Sequence, residues 1–217
     1  LRDDHGRWIN AYDLSIWVTA KLTMFDEGDR LVLNRERCPH LIFMLVQSGK
    51  TAIRNGVNLI LSHLRIHDAV IIITGRDDAA KPMQITRLRE RMAGVPSVEI
   101  YEAPDGSDIT DANAYEVFED LKEIILADYV PVVASKDNHH THAGMLSVLQ
   151  LLSNDERLQE YQDENNRPPI RVSLFSDEGD EAILAQKAKG RGSKASLLSN
   201  RGNNESCLLY TSPSPRD

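Results

Sequence analysis

The residues of this chain best suited to chemistry stand where apolar runs stop. Residues 69–78 read AVIIITGRDD, a uniformly apolar segment that ends on Thr74, Gly75 and Arg76. A hydroxyl, a main-chain amide and a guanidinium are what a phosphoryl oxygen needs: hydrogen-bond donors and a nearby positive charge. The string DEGD occurs at 26–29 and again at 177–180, each time after an apolar segment. If both segments are central, parallel strands of one sheet, Asp26 and Asp177 converge at its edge. Convergent carboxylates repel unless a cation lies between them. Oxygen ligands favour Mg2+, and Mg2+ favours phosphate oxygens.

Two other groupings invite chemistry. Asp137, His139, His140 and His142 bring imidazoles, common Zn2+ ligands, close together in the chain. Adjacent His139 and His140 diverge on any regular element, however, and no HxxxH or HExxH spacing links the set. The cluster also reads as a helix N-terminus opened by Asn138 or Thr141, with His142 gripping a phosphate ligand. Ser48-Gly49-Lys50-Thr51 ends like the phosphate-binding pattern GxxxxGK[ST], but Met44 stands where the first glycine belongs. A P-loop nucleotide site centred on Lys50 is the remotest of these readings, and a helix break is the simpler one.

The elements that must position these residues follow from periodicity. Leu14, Ile16, Val18, Ala20, Leu22 and Met24 recur at period two and predict a strand over 14–24, with a helix from about Asn10 as the alternative. Residues 39–48 and 51–66 read as helices, the second with Ile53, Val57, Ile60, Leu61 and Leu64 on one face. Residues 69–74 predict a strand covered on both faces. A helix over 82–93 is opened by Pro82 and closed by Gly94. Then follow a strand at 97–101, an amphipathic helix at 113–127, a short strand or extended connection at 130–134, a helix at 142–152 and a strand at 170–175. Strands alternating with helices predict an α/β fold, a three-layer α/β/α sandwich on a mainly parallel, Rossmann-like sheet. In such sheets ligands bind at the carboxyl ends of the strands, where Thr74 and the acidic strings fall.

Composition narrows the class. The 217 residues are 41% hydrophobic and 27% charged, as in ordinary globular domains. No apolar run approaches the roughly 20 residues of a membrane span, so no membrane partner is expected. A net charge of -8 does not indicate a nucleic-acid partner, although Lys187, Lys189, Arg191, Lys194 and Arg201 gather in a Gly-, Ser- and Asn-rich stretch. The expected organisation is an α/β domain over 1–186, beginning at Leu1 and lacking some native N-terminus, and a flexible basic tail over 187–206. Residues 207–217, CLLYTSPSPRD, resemble the in-frame translation of a sequencing adapter and read as non-native. Setting Cys207 aside leaves Cys38, which predicts no disulfide and fits a reduced, cytoplasmic compartment.

MFDEGDRL (24–31), IIITGRDD (71–78), VASKDNHHTHAGML (133–146) and SLFSDEGDEAI (173–183) together resemble the motif order of the haloacid-dehalogenase-like phosphohydrolases over residues 18–186. The resemblance implies a Mg2+-dependent phosphatase in which Asp26 attacks phosphorus and forms an aspartyl phosphate. Thr74 and Lys136 would hold the phosphoryl group, Gly75 and Arg76 would contact substrate, and Asp177 with Glu178 or Asp180 would hold Mg2+ beside Asp26. The implied substrate is a small phosphomonoester; the Gly-Arg continuation extends this to nucleotides or nucleic-acid ends. One position departs from the family. A second aspartate, the general acid, belongs two residues after the nucleophile, where this chain has Gly28 followed by Asp29. General acid catalysis contributes about 10²–10⁴-fold. Unless Asp29 substitutes, the leaving group goes unprotonated; the alternative reading is a non-catalytic binding or regulatory module of the same fold, with Gly28 as the sign of lost activity.

Overall fold

A computed structural model describes residues 10–34, 40–43, 50–74, 80–92, 95, 97–176 and 207–212. The elements run α1 (Ala11–Leu22), β1 (Thr23–Phe25), β2 (Leu31–Leu33), β3 (His40–Phe43), α2 (Lys50–His63), β4 (Ala69–Thr74), α3 (Ala80–Met92) and β5 (Val98–Tyr101). They continue with α4 (Ala114–Leu126), β6 (Val130–Lys136), α5 (His139–Asn154), α6 (Glu156–Glu164), β7 (Val172–Ser176) and β8 (Cys207–Ser212). Six strands form one sheet in the order β3-β8-β7-β4-β6-β5, and every described pairing in it is parallel.

The expected three-layer α/β sandwich is the observed fold. All of β4 is buried, as its uninterrupted Val and Ile run requires. Ala69, Ile71 and Ile73 point into a core built with α4, α5 and α6. Val70 and Ile72 point the other way, into a core built with α1, α2 and α3. Successive strand residues face opposite sides, so one apolar strand supplies both layers. Pro131 is tolerated inside β6. The Val130 N–H donates towards Ser97 on the β5 side, so the nitrogen of Pro131 faces β4, where pairing starts only at Val132 opposite Val70.

Several elements differ from the sequence reading. The strand expected over 14–24 is the helix α1, capped by Asn10, whose side chain accepts from the Asp13 amide. Its buried residues are Ser15, Val18, Thr19 and Leu22, a helical i, i+3, i+4, i+7 set in which two members are polar. Ser15 donates to the Ile53 carbonyl at 3.1 Å, and a Cβ at Gly56 would lie 2.3 Å from the Ser15 hydroxyl. The two helices therefore approach closely through small residues. The helix expected over 39–48 is replaced in its described part by the strand β3. Strand β6 is longer than the segment expected at 130–134 and lies inside the sheet, α5 begins three residues earlier than expected, and α6 has no counterpart in the sequence reading. Residues 207–212, part of the stretch read as non-native, pair as β8 between β3 and β7; residues 187–206 lie outside the described ones. Among the described residues no helix is long and apolar enough to cross a membrane.

Candidate functional site

Thr74 and Lys136 end β4 and β6 and are register partners. The helices that come next in the sequence, α3 after β4 and α5 after β6, pack on opposite faces of the sheet. That divergence is the topological switch point at which open α/β sheets hold ligands. Thr74 is buried, and its hydroxyl donates to the Ser135 carbonyl at 3.2 Å. Lys136 is presented by the tight turn into α5. The Thr141 hydroxyl donates to the Lys136 carbonyl at 2.5 Å, and Asn138 caps α5 by accepting from the Thr141 amide at 2.9 Å.

Two residues that sequence reasoning did not single out complete the crevice. Asp108, on the loop from β5 to α4, lies 3.4 Å from Lys136 through Oδ2 and 3.3 Å from Lys81 through Oδ1. Lys81 is buried in the first turn of α3 and also donates to the Gly106 and Ser107 carbonyls, at 3.1 and 2.6 Å. The same loop is tied down further along. Asn113 accepts from the Thr110 amide and donates to the Asp108 carbonyl. A Cβ at Gly144 would lie 2.5 Å from the Thr110 main chain, so α5 carries no side chain where the loop crosses it. Lys81 and Lys136 thus share the carboxylate of Asp108, one ammonium on each of its oxygens. The available signal for Lys81 was its place in the first turn after β4; Asp108 lay unmarked in a polar loop.

The other expected site residues fall elsewhere. Among the described residues, strand β1 pairs only with β2, antiparallel, in a two-stranded hairpin outside the main sheet. Asp26 is the corner of that hairpin. Its Oδ1 accepts from the Gly28 and Arg30 amides, each at 2.9 Å, and its Oδ2 accepts from Arg30 Nε at 3.0 Å. The Arg30 amide above all holds its carboxyl below the usual range. Asp29 takes the left-handed conformation, with φ of 56°, that closes the turn. The premise that brought Asp26 to the edge of the main sheet therefore fails. His142, expected to contact substrate, is buried with Nε2 3.0 Å from Asp137 Oδ1. The His139 and His140 rings do not diverge but lie 3.7 Å apart. Lys50 opens α2, with the interval 44–49 before it outside the described residues.

Gly75, Arg76, Asp177, Glu178 and Asp180 also lie outside the described residues. Among the described residues no three His, Cys, Asp or Glu side chains gather as a metal site. The one described member of the expected Mg2+ set, Asp26, lies in the separate β1–β2 hairpin, where its oxygens accept from Gly28 and Arg30.

No protein-family model, curated protein or solved structure matches this chain.

Proposed function

We propose that the carboxyl edge of the sheet binds a phosphorylated small molecule, with Lys136 and Thr74 at its phosphoryl group. The observation that carries this reading is the pairing of these two residues, distant in the chain, as the last partners of β4 and β6 where the chain parts. An ammonium and a hydroxyl at such a point offer a phosphate oxygen a charge and a share of the Thr74 O–H, which also serves the Ser135 carbonyl, with Lys81 a second cation on the far oxygen of Asp108. Asp26 is a turn residue in this account, which favours a binding module over a phosphatase that uses Asp26 as its nucleophile.

The test is titration with phenyl phosphate together with turnover of nitrophenyl phosphate. Nitrophenolate leaves without a proton, so Gly28 would not mask an active nucleophile. Lys136→Ala should weaken binding at least about tenfold, in the range of a lost charge-assisted hydrogen bond, and Asp26→Asn should leave it unchanged. Equal affinity in Lys136→Ala would remove the site. Mg2+-dependent turnover that Asp26→Asn abolishes would establish the phosphatase instead.

That second reading, a Mg2+-dependent phosphohydrolase of phosphomonoesters, has one observation in its favour. Ser176 lies beside Ile73 in the sheet, and Asp177-Glu178-Gly179-Asp180 follow it directly in the chain. If these acids hold Mg2+, millimolar Mg2+ raises the melting temperature by mass action and Asp177→Ala removes the increment. An equal increment in the mutant would put the ion elsewhere. Extension to nucleotides or nucleic-acid ends rests on Gly75-Arg76 alone.

A further inference from the structure

Among the described residues, Asp108 is an acid of the crevice that phosphate binding leaves without a role. Its two oxygens are divided between two lysines, Oδ1 towards Lys81 and Oδ2 towards Lys136. The lysines differ in what else they do. Lys81 is buried and also bonded to the Gly106 and Ser107 carbonyls, which makes it part of the loop's framework. Lys136 ends a strand at the open edge and its side chain is 20% exposed. A solvent-borne anion therefore meets Lys136 in competition with a carboxylate that cannot withdraw. Asp108 is anchored through Lys81, through its own carbonyl to Asn113, and through the seating of Thr110 on Gly144.

We propose that Asp108 is an internal anion that occupies Lys136 in the unliganded protein and sets the threshold for ligand binding by competing for that ammonium. The proposal rests on the reading of the crevice as a phosphate site. It also narrows the ligand. A simple carboxylate offers Lys136 no more than Asp108 already does, and it lacks the tether that makes Asp108 effective at all concentrations. A phosphomonoester dianion brings a second charge and three acceptor oxygens, so it can draw Lys136 away from Oδ2. Asp108 then remains on Lys81, and the loop keeps its place.

The experiment is a double-mutant cycle read by calorimetric titration with phenyl phosphate at pH 8, where the ester is a dianion because its second pKa is about 6. Asp108→Asn keeps the side chain's shape and should tighten binding at least about tenfold, since it removes a fixed competitor at charge-pair distance. Asp108→Ser gives the same comparison should the amide disturb folding. Asp105→Asn, on the same loop and with the same change in charge, should alter affinity by no more than about twofold, because an exposed charge away from the pair is screened. In a Lys136→Ala background the gain from Asp108→Asn should vanish. A gain of equal size in Asp105→Asn, or one that persists without Lys136, would reduce Asp108 to a contributor to the general field and overturn the proposal. Affinity indifferent to Lys136→Ala in the parent protein would instead overturn the phosphate site itself.

Discussion

Thr74 and Lys136 show how unequal two neighbouring side chains can be in one role. The Thr74 hydroxyl already donates to the Ser135 carbonyl, so a ligand gains from it mainly a second, shared hydrogen bond. Thr74→Val should therefore weaken phenyl phosphate about 3- to 10-fold, the worth of one hydrogen bond, with little change in melting temperature. Loss of the fold in that variant would mark the hydroxyl as structural. Thr74 was legible in the sequence because a hydroxyl follows an apolar run, whereas Lys136 was singled out only through the motif order of the resemblance. Asp26 was legible for the wrong reason. Asp-Glu-Gly-Asp after apolar residues suits a strand end as well as a hairpin corner, and only the pairing of β1 with β2 decides between them. Lys81 and Asp108 were not legible, since their meeting depends on where the loop from β5 to α4 folds back.

At the scale of elements, burial patterns explain which ones the sequence disclosed. Strand β4 was unmistakable because both of its faces are covered by apolar layers. Helix α1 was misread because its buried stripe includes Ser15 and Thr19, whereas Ile16 and Trp17 lie exposed. Hydrophobicity then follows a period of two although burial follows 3.6. Helix α6 escaped notice because it is polar, burying only Leu158 and Gln162. The fit of the loop from β5 to α4 against α5 is testable on its own. Gly144→Ala places a methyl 2.5 Å from the Thr110 main chain, which cannot yield as a flexible side chain would. It should cost about 1–3 kcal/mol, as overpacking does, or about 3–10 °C in a chain of this size. An unchanged melting temperature would show that the loop is not seated on α5.

Across the whole molecule the two edges of the sheet are built for different ends. The carboxyl edge carries charge that is partly open to solvent, at Lys136 and Asp108. The amino edge carries buried, mutually satisfied polar groups: Asp68 accepts from the Arg171 amide at 2.8 Å, and His67 bridges Ser62 and Ser173 at 2.8 and 2.9 Å. Burial, aided by Arg171 and Arg65, lowers the His67 pKa from 6.5 to about 3. The unfolded chain therefore takes up this proton first as pH falls. The stabilisation is complete above about pH 6.5 and is lost between there and about pH 3. At pH 5 the loss should reach about 2 kcal/mol relative to neutral pH. His67→Gln should show a shallower acid dependence than the parent by that amount; parallel curves would mean that His67 protonates within the fold. The central claim, a phosphate site where β4 and β6 end, is tested most directly by the structure of the protein bound to phenyl phosphate. The account predicts phosphate oxygens within about 3 Å of Lys136 Nζ and Thr74 Oγ1, with Lys136 drawn off Asp108. Phosphate seated at the Asp26–Arg30 hairpin, or anywhere that leaves the Lys136–Asp108 pair closed, would contradict it.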